Sequence, residues 1–200
     1  SHGWPWLPAL VVGVGSAVLL GVIVALPALK LGGLALALST LALAMIGDTV
    51  LFVWRPLNNG DFGWTIGRPV IGPFDFGDDR AFALLLFAVV VGVAWLSRNL
   101  TRSPSGRAIT AVRSAQAAAT SVGLSTLKSK LRVFAVSAAV AGLGGVMLAT
   151  VNQSITSSSF NALAGLTWLA VVVLFGVRRS SGAILAGILF ALSPQLLGYV

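Results

Sequence analysis

From Leu7 to Leu29 the chain runs for 23 residues without a charged side chain. As a helix this stretch is about 34 Å long, enough to cross the roughly 30 Å hydrocarbon core of a bilayer. Five further apolar segments follow it: Leu31–Trp54, Ala81–Leu96, Leu131–Thr150, Phe160–Val177 and Gly182–Tyr199. The third is slightly short but is flanked by Arg80 and Arg98; the fourth extends inward to Ser125, a residue able to cap it. Pro194 is expected to kink or end the last. These runs predict an all-α, polytopic membrane helix bundle of about six transmembrane helices, forming a single transmembrane domain over residues 1–200. Charged residues make up 9% of the chain, against about 25% in soluble domains.

The placement of the few charges sets the orientation. If the stretch Ser103–Lys130 is cytoplasmic, the inner connections hold Lys30, Arg98, Arg102, Arg107, Arg113, Lys128, Lys130, Arg132, Arg178 and Arg179. Only Arg55, Arg68 and Arg80 then lie outside, together with Asp61, Asp75, Asp78 and Asp79. This is the positive-inside bias of membrane proteins. It also accounts for the 13 Lys and Arg against 5 acidic residues without a nucleic-acid partner, which would need a basic face on a water-exposed module. The outer segment 55–80 is rich in Gly, Pro, Asn and Asp and is expected to be a loop; its Phe62, Trp64, Ile66, Phe74 and Phe76 suggest that it folds back onto the outer face.

Inside the spans, small residues recur four apart: Ala17 and Gly21, Ala138 and Gly142, Ala141 and Gly145, and Ala183, Gly187 and Ala191. This spacing lets helix backbones approach closely in lipid, and packing is the plain reading of each glycine. The chain has no Cys, no Glu and one His, His2 near the start. Neither a metal site nor a general acid/base pair can be assembled from that inventory, so no enzyme and no cofactor is expected. The chain lacks an initial Met, and a piece of a longer protein is expected.

The segment 103–130, "SPSGRAITAVRSAQAAATSVGLSTLKSK", is the longest stretch that does not read as membrane-embedded. Ser103–Gly106 reads as a turn, Arg107–Val122 as one helix of good helix formers, and Gly123 as its left-handed terminus. Ala108, Val112, Ala115, Ala119 and Val122 form a narrow apolar stripe. The stripe lacks the bulky side chains of a membrane-surface anchor and suits docking against protein, although an interfacial helix with Arg107 and Arg113 at anionic headgroups is the alternative.

Read onward to Ala149, this segment resembles the cytoplasmic coupling loop and following helix of LivM-type permease subunits of ABC importers for branched-chain amino acids. The likeness extends over about Leu26–Leu197, through "LPALKLGGLALALSTLALA" upstream and "SITSSSFNALAGLTWLAVVVLFG" and "SSGAILAGILFALSPQLL" downstream. Its frame is Gly106-Arg107-Ala108, Arg113, Ala117-Ala118, Gly123, Ser137-Ala138-Ala139 and Ala141-Gly142. The resemblance implies a coupling helix, with Gly106, Arg107, Arg113, Ala117, Ala118 and Gly123 meeting a separate ATPase subunit. It further implies a second permease subunit, an extracytoplasmic substrate-binding protein and a bacterial plasma-membrane location. No phosphate loop of the GxxxxGK[ST] kind occurs here, which agrees with ATP hydrolysis on a partner chain. The family's coupling helix usually carries acidic residues where this chain has Ser114, Gln116 and Thr120, so hydrogen bonds or Arg107 and Arg113 are expected in place of ion pairs. Phe175-Gly176 replaces the family's double glycine, and the family's N-terminal helices are missing, so the resemblance implies an N-terminally truncated permease.

For a translocation path the candidates are Ser39, Thr40, Asp48 and Thr167, with Asn152, Gln153 and Trp168 weaker. Asp48 is the ionisable side chain within a predicted span; it faces a bundle interior, water or a partner, unless its position near Trp54 brings it to the outer interface. Ser39 and Thr40 have a simpler reading, since such hydroxyls bond back to the preceding turn. An ATP-independent carrier or channel is the alternative function, disfavoured because proton-coupled carriers usually hold several acidic or His residues at membrane depth.

Overall fold

The computed structural model describes residues 6–28, 33–51, 64–67, 70–71, 74–75, 77–155, 162–176 and 180–197. The chain is an all-α membrane helix bundle, and each of the six predicted spans falls on a helix. The chain divides into two compact units, 1–156 and 157–200.

In the first unit α1 (Trp6–Ala28) and α2 (Gly33–Leu51) precede three two-residue strands, β1 (Trp64–Thr65), β2 (Val70–Ile71) and β3 (Phe74–Asp75). Then come α3 (Asp79–Arg102), α4 (Pro104–Ser114), α5 (Gln116–Ser121), α6 (Thr126–Asn152) and β4 (Ser154–Ile155). The second unit holds α7 (Ala162–Phe175) and α8 (Ser180–Leu197). Among the described residues, α1, α3 and α6 are long and apolar enough to cross a membrane, and shorter apolar stretches lie at Leu38–Gly47 in α2 and Gly165–Phe175 in α7.

α3 is longer than the apolar run Ala81–Leu96 suggested. It begins with Asp79 and ends with Arg102, charges that suit the positive and negative ends of the helix dipole. Counting apolar residues stops at these charges, whereas the helix does not. Its Leu84, Phe87, Val91 and Trp95 are all at least half exposed. In water this would be a sticky patch; in a bilayer it is a lipid-facing surface, with Trp95 one turn from Arg98 as is usual at a membrane interface.

The core of the first unit is the pair α1 and α6. A Cβ on Gly21 would overlap that of Ala138, one on Gly142 would stand 2.5 Å from the Ala17 Cβ, and one on Gly13 would stand 3.0 Å from Val146 Cγ2. The contacts step up α1 by four residues as they step down α6 by four, so the helices are antiparallel. Gly13, Ala17 and Gly21 thus form one ridge-free stripe that admits Ala138, Gly142 and Val146. The other spacing on α6 does not take part in this way: Ala141 is exposed, and among the described residues no atom outside α6's own nearby backbone lies within 4 Å of a Cβ built on Gly145.

At the far end of α6, Thr150 is 1% exposed and donates its hydroxyl proton to the Val146 carbonyl at 2.7 Å. Gln153 then turns the chain with φ 53°. Trp64 and Thr65 pair antiparallel with Ile155 and Ser154, and the Ile66 N–H donates to the Gln153 carbonyl at 2.9 Å. The described part of segment 55–80 is thereby fastened to the chain just beyond α6, and β2 and β3 form a separate small hairpin.

In the second unit the buried small residues are Gly182 and Ala186 of α8. The expected stripe was Ala183, Gly187 and Ala191, one position away; Ala183 and Ala191 are exposed. Gly182 lies under the carbonyls of Phe175 and Gly176, with the Phe175 oxygen 2.9 Å from where a Cβ would be. α8 runs through Pro194 to Leu197, so this proline does not end it.

Candidate functional site

The segment 103–130 forms a compact joint. Ser103 is its pivot and does two things at once. Its backbone N–H closes α3 on the carbonyls of Asn99 and Leu100, at 3.0 and 3.2 Å. Its side-chain oxygen accepts from the Gly106 N–H at 3.1 Å and donates to the Leu100 carbonyl at 2.6 Å. α4 therefore starts at Pro104, directly after Ser103, and the expected turn at Ser103–Gly106 is instead its first helical turn. A Ser followed by Pro is an N-cap with the ring at N1, where no N–H is needed.

Gly106 explains how two helices meet with one residue between them. A Cβ there would strike the Leu100 carbonyl and stand 2.7 Å from the Thr101 carbonyl oxygen. Arg107 is exposed and donates from a guanidinium nitrogen to the Arg102 carbonyl at 3.2 Å, adding a strut across the same joint.

The expected single helix Arg107–Val122 is broken at Ala115, whose φ −149° and ψ 85° are not helical. Nothing in the side chain of Ala115 explains the break; propensity is a weak prior that packing overrides. The Ala119 N–H still donates across it to the Ala115 carbonyl at 2.9 Å. Both pieces pack on α6. Of the predicted stripe, Val112 and Ala119 are buried and Ala108 is half-buried, while Ala115 and Val122 are exposed.

Gly123 has φ 84° and closes α5. Its N–H donates to the Thr120 carbonyl and that of Leu124 to the Ala119 carbonyl, both at 3.0 Å. This pair of bonds is a Schellman motif, which requires the left-handed residue that glycine supplies. Ser125 then caps α6, accepting from the Lys128 N–H at a long 3.4 Å.

The site residues thus separate by role. Gly106 and Gly123 shape the joint. Arg107, Arg113, Ala117 and Ala118 are exposed on its surface. At two of the positions where acidic groups are usual, Ser114 donates to the Thr110 carbonyl at 3.0 Å, and Thr120 to the Ala117 carbonyl at 2.8 Å. Their single protons are held within their own helices.

Of the path candidates, Ser39 and Thr40 are half-buried on α2 and both have bonding partners. Asp48 is on α2, but its side chain lies outside the described residues; its neighbour Thr49 bonds back to the Met45 carbonyl at 2.9 Å. Thr167 is exposed on α7. Asn152 and Gln153 are exposed at the end of α6. Among the described residues no cluster of His, Cys, Asp or Glu could hold a metal ion.

The family described as branched-chain amino acid transport system / permease component matches the chain over residues 1–200. The chain belongs to this permease family. Two relatives named high-affinity branched-chain amino acid transport system permease protein LivM are each 30% identical to it, one from Escherichia coli K12 and one from Salmonella typhimurium LT2. The first alignment covers 88% of this chain and 47% of the relative, the second 97% and 51%. The chain therefore spans about half the length of the permease-family relatives it matches. No solved structure matches it.

Within this permease-family chain, Ser103 caps α4 where the sequence suggested only a turn. Its signal was present as a Ser–Pro pair directly after the last charged turn of α3.

Proposed function

We propose that the chain is a membrane-spanning permease subunit of an ATP-driven importer in a bacterial plasma membrane, carrying branched-chain amino acids or similar small polar solutes. The segment 103–130 receives an ATPase subunit at the inner surface. A second permease subunit completes the path, and a substrate-binding protein delivers solute from outside. The chain itself performs no chemistry.

The observation that carries this reading is the joint. α4 is tied to α3 through Ser103 and the close approach at Gly106, and α4 and α5 both pack on α6. A partner that shifts α4 and α5 therefore acts on α3 and α6 together. Through the stripe at Gly21, Ala17 and Gly13 the shift of α6 passes to α1. The solute class is supported by family membership, since the relatives are named for branched-chain amino acids.

The chain contains no cysteine, so one introduced thiol reports alone. Ala117→Cys in the full-length protein, cross-linked in native membranes, is expected to capture an ATPase subunit. Labelling of that thiol from outside the cell, or capture of no ATPase, would favour an ATP-independent carrier.

A further inference from the structure

The geometry points to an acidic partner at the joint: the protein seated on α4 and α5 presents carboxylates to Arg107 and Arg113 across a flat strip of small residues. This inference rests on the reading of α4 and α5 as the ATPase-docking segment and adds the charge of the surface that docks.

Hydrogen-bond donors decide the matter. Thr110 donates to the Gly106 carbonyl at 2.9 Å and Ser121 to the Ala118 carbonyl at 2.8 Å. With Ser114 and Thr120 bonded in the same manner, these four hydroxyls each have their one proton engaged. The strip can accept bonds but offers no hydroxyl proton to a partner. The exposed Gln116 carboxamide and the two guanidinium groups remain as donors, and of these only the guanidinium groups carry charge. Arg107 has most of its five donors free after its bond to Arg102, and Arg113 is exposed with no hydrogen bond or ion pair among the described residues. At about 100° per residue, Arg107 and Arg113 lie roughly 120° apart around α4, with Ser114 and Thr110 between them. They bracket the strip.

The chain cannot neutralise these cations locally. No Asp or Glu occurs between Arg80 and Val200, while Arg98, Arg102, Arg107, Arg113, Lys128, Lys130 and Arg132 crowd the joint. Asp78 and Asp79 sit at the opposite end of α3, about 36 Å away along a 24-residue helix. These exposed cations are solvated in the free chain, and a docking surface that covers them is complementary when it supplies anions. Lipid headgroups fit less well than a protein. Among residues 104–122, Val122, just beyond α5, is the one exposed large apolar side chain, and surface helices that insert into a bilayer present several.

The test measures ATPase binding to the full transporter in nanodiscs of neutral lipid, at low and at high salt. Wild-type binding is expected to weaken as salt rises. The double reversal R107E/R113E is expected to weaken low-salt binding about tenfold or more and to abolish the salt dependence. R107K/R113K keeps the charge and is expected to bind nearly as wild type, which separates loss of charge from loss of folding. Binding that is insensitive to salt and to reversal, while Ala117→Cys still captures the ATPase, overturns the acidic partner and leaves the docking reading intact. A salt effect that appears only in anionic lipid also overturns it, in favour of headgroups. Failure of Ala117→Cys to capture any ATPase removes the docking reading itself.

Discussion

The α1–α6 pair and the α4–α5 joint are built from the same small residues, put to opposite use. In the pair, Ala17 and Ala138 face Gly142 and Gly21, and the stripes close on each other. In the joint, Ala117 and Ala118 face outward with Thr110 and Ser114 beside them. Composition does not distinguish a filled contact from an open one. What distinguishes them is register: the α1 and α6 stripes meet in antiparallel steps of four, whereas the joint spends its buried residues, Gly106, Val112 and Ala119, on its own chain and leaves its small outer face for another.

Four substitutions can break or sharpen this comparison. The largest effect is expected from G142L, which forces a bulky side chain against Ala17 and Val14; overpacking of this kind costs about 3 kcal/mol or more, read as loss of expression or a lower melting temperature in detergent. G106A comes next. Its methyl meets the Leu100 and Thr101 carbonyls, at an expected cost of about 1 to 3 kcal/mol, and α4 is displaced. Because the α1–α6 pair is untouched, ATP hydrolysis is expected to persist while transport per ATP falls. S103A removes the cap and is expected to cost about 1 kcal/mol, seen as a modest drop in melting temperature. The smallest effect is expected from G145A, whose new methyl meets nothing among the described residues. It should leave the isolated chain unharmed or more stable by up to about 1 kcal/mol. If G145A disrupts the assembled transporter as badly as G142L does, this second face of α6 is filled there by a partner helix.

The sequence made the spans legible because twenty apolar residues in a row have few other uses. It also exposed the terminator at Gly123, since a left-handed closing residue is most often glycine. Which helices would pair was hidden: Ala-Gly spacing marked faces on α1, α6 and α8 alike, but only the fold matched Gly21 with Ala138. On α8 the small residues buried within the chain, Gly182 and Ala186, lie one position from the predicted stripe, because Gly182 is held by the preceding carbonyls, a contact with no periodic signature. Ser103 and Pro104 were read as a turn because both residues favour turns as well as helix starts. The break at Ala115 left no trace, since alanine is the strongest helix former. At the candidate site, the exposed positions of Arg107, Arg113, Ala117 and Ala118 followed from the stripe. The hydroxyl bonds of Ser114 and Thr120 follow a local rule that long-range reasoning about a partner obscured.

The central claim is that α4 and α5 move as one body with the C-terminal end of α3. Spin labels at Thr101→Cys and Ala117→Cys, in the full transporter with its ATPase bound, test this by the distance between them without nucleotide and with ATP trapped. The account predicts one unchanged distance distribution in both states, the joint being carried whole. A distribution that shifts or splits when ATP binds would mean that α4 and α5 swing independently of α3, and that the Ser103–Gly106 joint does not transmit the movement.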